Sequence, residues 1–208
     1  MPIPTTNATQ ELPAVNQILA SVGQAPVTSL DQTNPDVAIA YDTLLTVSRE
    51  VQAEGWSFNT EYDTPKITDA NKQFPIPNNM LQVDLTTSSA NAYTDVVKRE
   101  GKLYDKYNHT YDITGGAGDE IRLDIVWLFD WVDLPIPIQD YIVARSATIV
   151  SSRIVGDGGQ YQMLQQREAY TRAMALEYEC NQGDYTFFGT PAGQNNYISY
   201  KPYQALYR

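Results

Sequence analysis

Gly55-Trp56-Ser57-Phe58-Asn59-Thr60-Glu61 is the place where the chain changes texture, and that change decides the fold class. Upstream of it, apolar residues recur every three or four positions. Val37, Tyr41, Leu44, Val47 and Val51 form one such stripe, on a helix that Asn34 caps, Pro35 opens and Gly55 ends. Earlier still, Leu12, Val15, Ile18, Leu19 and Val22 make a second stripe from about Glu11. Pro13 falls in its first turn, where the missing N–H is harmless, and Gly23 is placed to stop it. The loop between the two helices, anchored by Pro26-Val27, lets them pack antiparallel.

Downstream of Gly55, Trp56-Ser57-Phe58 alternates as a strand would, and Pro65, Pro75 and Pro77 argue against long helices. Leu81, Val83 and Leu85 alternate with Gln82 and Asp84, the pattern of a half-buried strand. Residues 96–99 and 103–107 predict a hairpin around Glu100-Gly101, with a second turn at Asn108-His109 before 110–113. Gly115-Gly116-Ala117-Gly118 is a flexible connection, and 121–131 predicts a further strand. Helical spacing returns at Pro137. Ile138, Tyr141, Ile142, Ile149 and Ile154 share one helix, closed by Gly156. After the turn Asp157-Gly158-Gly159, a fourth helix is predicted over 160–182, with Leu164, Thr171, Met174 and Tyr178 along one side. The expected fold class is therefore α+β, mainly α: a four-helix bundle with a small antiparallel β insertion between the second and third helices. The helical parts are 9–55 and 135–183, the insertion is 56–134, and together they make one domain over 1–183. Residues 184–208 form an extended C-terminal arm.

Composition narrows the function classes. The 208 residues suffice for one domain with a hydrophobic core, and 42% apolar against 19% charged residues excludes a disordered polymer. The net charge of −11 speaks against a free nucleic-acid binder, which would carry a basic patch. It suits a surface past which DNA slides without sticking. Met1 to Gln10 is polar, with no apolar stretch of signal-peptide type, and no run approaches a membrane span of roughly 20 apolar residues. The expected setting is a cytosol-like space, without a membrane. Cys180 is the single cysteine, so no internal disulfide forms, and a buried or half-buried inert thiol is expected.

Nothing in the sequence assembles a catalytic or cofactor site. His109 is the only histidine and sits in a turn, with no nucleophile elbow near it. Metal-ligand spacings are missing, and the glycines at 115, 116 and 118 lack the Lys-Ser/Thr of a phosphate loop. Carboxylate pairs are the one chemistry left open. Asp130 and Asp133 flank Trp131, and they leave open the alternative of a hydrolase acting on polysaccharide. The remaining signal is aromatic. Tyr is three times as common as Phe, 15 against 5, and its apolar face and polar tip suit surfaces covered by another protein. The candidate interface residues are Trp56, Phe58, Tyr104 and Tyr107, with Tyr185, Phe187, Phe188, Tyr197, Tyr200, Tyr203 and Tyr207 in the C-terminal arm.

Glu11-Leu12-Pro13-Ala14-Val15-Asn16-Gln17-Ile18-Leu19-Ala20-Ser21-Val22-Gly23, then Pro26-Val27 and Ser29-Leu30, resembles the opening of tail tubular protein A, the head-to-tail adaptor of short-tailed phages (podoviruses). The element at 55–61 resembles that family's Gly-Trp-x-Phe-Asn-x-Glu. Leu103-Tyr104-Asp105, the Leu134-Pro135 step into Tyr141-Ile142-Val143, and Leu176-Glu177-Tyr178-Glu179 follow its order of elements. The resemblance covers most of 9–183 and stops at the Tyr-rich tail. It implies a non-enzymatic structural protein that forms a dodecameric ring in the neck of the virion, assembled in the host bacterial cytoplasm, with no cofactor. The implied partners are copies of itself, the portal protein, the tail nozzle protein (tail tubular protein B) and possibly a tail fibre. Genomic DNA would pass through the lumen without specific binding.

Overall fold

The structure, a computed structural model, describes residues 8–31, 33–86, 95–113 and 120–183. Its helices are α1 (Ala8–Ser21), α2 (Pro35–Gln52), α3 (Ile136–Ile154) and α4 (Gly158–Gln182). The strands are β1 (Thr60–Ile67), β2 (Met80–Leu85), β3 (Val96–Arg99), β4 (Lys102–Asp105) and β5 (Glu120–Trp127), and a 3-10 turn spans Trp131–Asp133. The signals at α2 act as expected: the Asn34 side chain accepts the Asp36 N–H and Pro35 opens the helix. α1 begins earlier than expected, so Pro13 lies inside it rather than in its first turn. At α4 the Asp157 carboxylate accepts from Gly159 and Gln160, so Gly158 and Gly159, expected in a turn, are the first residues of the helix.

α3 is the hub of the helical core. Ile138, Tyr141, Ile142 and Val150 are almost wholly shielded, packed with Val15, Ile18 and Leu19 of α1 and Val37, Leu44, Val47 and Val51 of α2. α4 lies against α3 and buries only Thr171, Ala175 and Glu179, with Leu164 half-covered. So thin an inner stripe cannot close a four-helix core, and α4 rests on the hub as a buttress. Met174, expected on the inner side, is 42% exposed, and Cys180, expected to be covered, is exposed.

The β part corrects the fold expectation further. Among the described residues, five strands form two sheets rather than one small meander: an antiparallel sheet of order β1-β5-β2 and the hairpin β3-β4. These sheets enclose a core of their own. Ile121, Leu123 and Ile125 point inward from β5 and meet Phe74, Ile76, Met80, Val96, Leu103 and Ile113. The protein is thus a mixed α and β structure with two cores, not a helical bundle carrying an insertion. Three local expectations also change. Residues 57–59 form a turn rather than a strand, β5 ends at Trp127 rather than 131, and β1 is an additional strand containing Pro65. Proline is tolerated there because β1 is the outer strand of its sheet, with β5 as its one neighbour among the described residues. Asp63, at φ 54°, marks a bulge in its register; its backbone N–H is accepted by the Asp124 carboxylate at 2.9 Å.

The hairpin β3-β4 turns at Glu100-Gly101, both with positive φ, as predicted. Beyond β4, Asp105 is only 2% exposed and organises the next turn. Its carboxylate accepts the N–H groups of Tyr107 (2.7 Å) and Asn108 (3.1 Å) and the Asn108 side-chain amide (2.7 Å). Burial pushes its pKa up. The Asn108 and Tyr107 hydrogen bonds and the His109 charge outweigh burial and hold the carboxyl below the usual carboxylate range. Its contribution to stability is complete above the unfolded-state value of about 4 and is lost as pH falls through the folded-state value. Asp105→Ala should cost about 2 kcal/mol at neutral pH. It should also flatten the fall in melting temperature of the wild type below about pH 4, read from melts of both proteins across that range.

Candidate assembly interface

Between the two cores lies a polar joint built from the 55–61 element. Gly55, at φ 77°, takes the left-handed conformation that ends α2 and turns the chain toward the sheet. A Cβ there would meet only ordinary contacts, so the backbone angle rather than space requires glycine. Trp56 then drops into the helical core, 2% exposed, and its indole N–H donates to the carbonyl of Val51 at 2.7 Å.

Asn59 is 1% exposed and saturated. Its side-chain oxygen accepts the Trp56 N–H at 2.9 Å. Its amide nitrogen donates to the carbonyls of Gln52 and Trp127, each at 2.8 Å. Gln52, fully buried at the end of α2, brackets the backbone of Phe129 by accepting its N–H at 2.8 Å and donating to its carbonyl at 3.2 Å. From the far side, Glu179 of α4 accepts the N–H of Ser57 at 3.0 Å and its hydroxyl at 2.8 Å. Arg172 of α4 forks onto Glu54, and it also donates to the Tyr141 hydroxyl. The end of α2, the start of β1, the end of β5 and the last turns of α4 are therefore tied by directional bonds, buried around Asn59 and partly exposed toward α4. Such a joint resists hinge motion.

The structure separates the predicted interface residues. Trp56 belongs to the core of its own subunit and has no surface to offer. Phe58 is half-buried against the helical core with its ring 6.3 Å from that of Phe129. Tyr104 lies edge-on to Tyr111 at 5.0 Å with the Arg99 guanidinium over it at 4.1 Å. Tyr107 stands open at 71% exposure. Tyr185, Phe187, Phe188, Tyr197, Tyr200, Tyr203 and Tyr207 lie outside the described residues.

Large apolar side chains not among the predicted interface residues do stand in solvent. Met163, Tyr170 and Met174 lie on α4, Val132 and Ile136 at the corner leading into α3, and Tyr62 and Ile67 on β1. Their signal was a second apolar spacing on α4, seven and then four residues apart, beside the stripe that packs inward.

Asp130 is the N-cap residue of the 3-10 turn, without a side-chain capping bond, and Asp133 is exposed on that turn. Asp84 and Asp124 face each other across β2 and β5, where Asp124 accepts from the bulged Asp63 N–H and from the Thr86 hydroxyl at 2.6 Å. The His109 backbone, at φ 54°, belongs to the turn that Asp105 holds.

Internal polar bonds that stiffen the body, with apolar side chains left standing on its outside, describe a structural assembly subunit. Comparison with known proteins agrees. A family model described as tail tubular protein matches residues 12–185, and the chain belongs to that family. It is a structural component of a bacteriophage tail. Tail tubular protein A of Klebsiella phage KP34 is 25% identical to it over 176 residues, which make up 83% of this chain and 89% of that protein.

Proposed function

We propose that the chain is the head-to-tail adaptor of its virion: a non-enzymatic protein whose copies close into a ring, twelve-fold, between the portal protein and the nozzle protein. The carrying observation is the near end-to-end match to a protein called tail tubular protein A. Two physical features support the reading. A net charge of −11 disfavours adhesion of DNA to the wall of an ejection channel. The bonded joint between the helical and β cores suits a stationary conduit that must bear load without flexing. In this proposal residues 1–183 act as one adaptor body. The β part meets the nozzle and the C-terminal arm reaches a neighbour or the portal, with a tail fibre as a further contact. Assembly takes place in the host bacterial cytoplasm.

Negative-stain images of the purified protein mixed with portal particles should show a ring seated on the portal; particles that stay bare at saturating protein would sink the adaptor role. Removing residues 184–208 is expected to leave the melting temperature within a few degrees of the full chain. The same deletion should reduce the yield of joined, infectious particles at least tenfold in a complementation assay. Undiminished yield would take the docking role away from the arm.

A further inference from the structure

Two separate surfaces of this chain are chemically complementary to each other. The first is the outer face of α4. Met163, Tyr170 and Met174 are 73%, 66% and 42% exposed. Their spacing of seven and four residues aligns them along one side of the helix, a strip about 16 Å long at 1.5 Å per residue. Arg167 falls inside that strip and is exposed. α4 contains no Lys and no Asp. Its charges besides Arg167 are Arg172, engaged with Glu54, Glu179, engaged with Ser57, the half-buried Glu168, and the exposed Glu177 beyond the Met174 end of the strip. The strip's own residues, Met163, Arg167, Tyr170 and Met174, are of the types enriched at the centre of a protein interface.

The second surface is the corner where the 3-10 turn enters α3. Val132 and Ile136 are 55% and 72% exposed there, bordered by the exposed carboxylates of Asp133 and Asp140. The corner is formed by the 3-10 turn, which packs on α1, and the first residues of α3, whereas the strip runs along the exposed side of α4. One is an apolar strip with a cation at its centre; the other is an apolar corner with anions at its rim. A closed ring of identical subunits needs such a pair, since each contact joins two different faces of the same chain.

We infer that the α4 strip of one copy receives the Val132–Ile136 corner of the next, with Arg167 facing Asp133 and Asp140 across the contact. The inference rests on the ring reading above and names the surfaces that build it. Because the contact is head-to-tail, a copy damaged on one face still offers the other.

The experiment uses three full-length proteins: wild type, Tyr170→Glu and Ile136→Glu. Both altered side chains are exposed, so the variants should keep the wild-type melting temperature within a few degrees. In sedimentation velocity, wild type should form large oligomers and each variant alone should run as a monomer. An equimolar mixture of the two variants should yield a one-to-one dimer and nothing larger, because only one intact strip and one intact corner can meet. Two results overturn the inference while leaving the ring standing. One is assembly of both variants like wild type, as expected if residues 184–208 of the same chain cover the strip. The other is two monomeric variants whose mixture stays monomeric. Wild type that remains monomeric at every concentration overturns the ring reading together with the contact.

Discussion

Asn59→Ala is expected to lower stability by about 3–5 kcal/mol, the largest effect of any single polar truncation in the joint. The substitution leaves the Trp56 N–H and the carbonyls of Gln52 and Trp127 without their side-chain partner, inside a region where the residue itself is 1% exposed. Each buried polar group so stranded costs roughly 1–3 kcal/mol. At roughly 2–4 °C per kcal/mol for a chain of this size, the melting temperature should drop by about 10 °C. The orientation of the amide is fixed by its partners, since two carbonyls require the NH2 and one N–H requires the oxygen. Asn59→Asp should therefore be at least as damaging as Asn59→Ala, because it turns a donor into an acceptor facing two carbonyls. A thermal melt in which Asn59→Asp behaves like wild type would falsify this account of the joint.

Glu179→Ala is expected to cost about 2–3 kcal/mol and to act at a distance. Its carboxylate is the partner of the Ser57 N–H and hydroxyl, 122 residues away in sequence, and it anchors the end of a helix that buries little else. Hydrogen exchange should show the amides of 175–182 losing protection by tenfold or more, while those of α1 and α2 keep theirs. Glu179→Gln keeps one acceptor oxygen and most of the packing, so it should lose about half as much. Equal protection of 175–182 in the alanine variant and wild type would mean that α4 is held by its packing on α3 and the Arg172–Glu54 pair without help from Glu179.

These two residues show where sequence reading stops. Each helix appears in the order of apolar positions, because a helix satisfies its own backbone and displays its buried face at a local period. The hairpin at Glu100-Gly101 and the alternation of β2 are local for the same reason. β1 was missed because its pairing lies with β5, about sixty residues onward, and its own pattern is broken by Pro65 and by the bulge at Asp63. The inner stripe of α4 was displaced onto Met174 because small and polar residues, Thr171, Ala175 and Glu179, form the buried line. Hydrophobic spacing cannot reveal a glutamate buried by a backbone N–H.

Local order along the chain settles the existence of four helices, the hairpin, the acidic balance and the kinship with tail tubular proteins, since each depends on residues close in sequence or on their sum. Three matters depended on the folded chain: that the strands divide into two sheets around a separate core, that Trp56 turns inward while Met163, Tyr170 and Met174 turn out, and that Asn59 and Glu179 knit the cores together. The reason is physical. Strand pairing and the burial of polar groups are contacts between distant segments, and a residue's role in them is defined by its partner rather than by its neighbours in the chain.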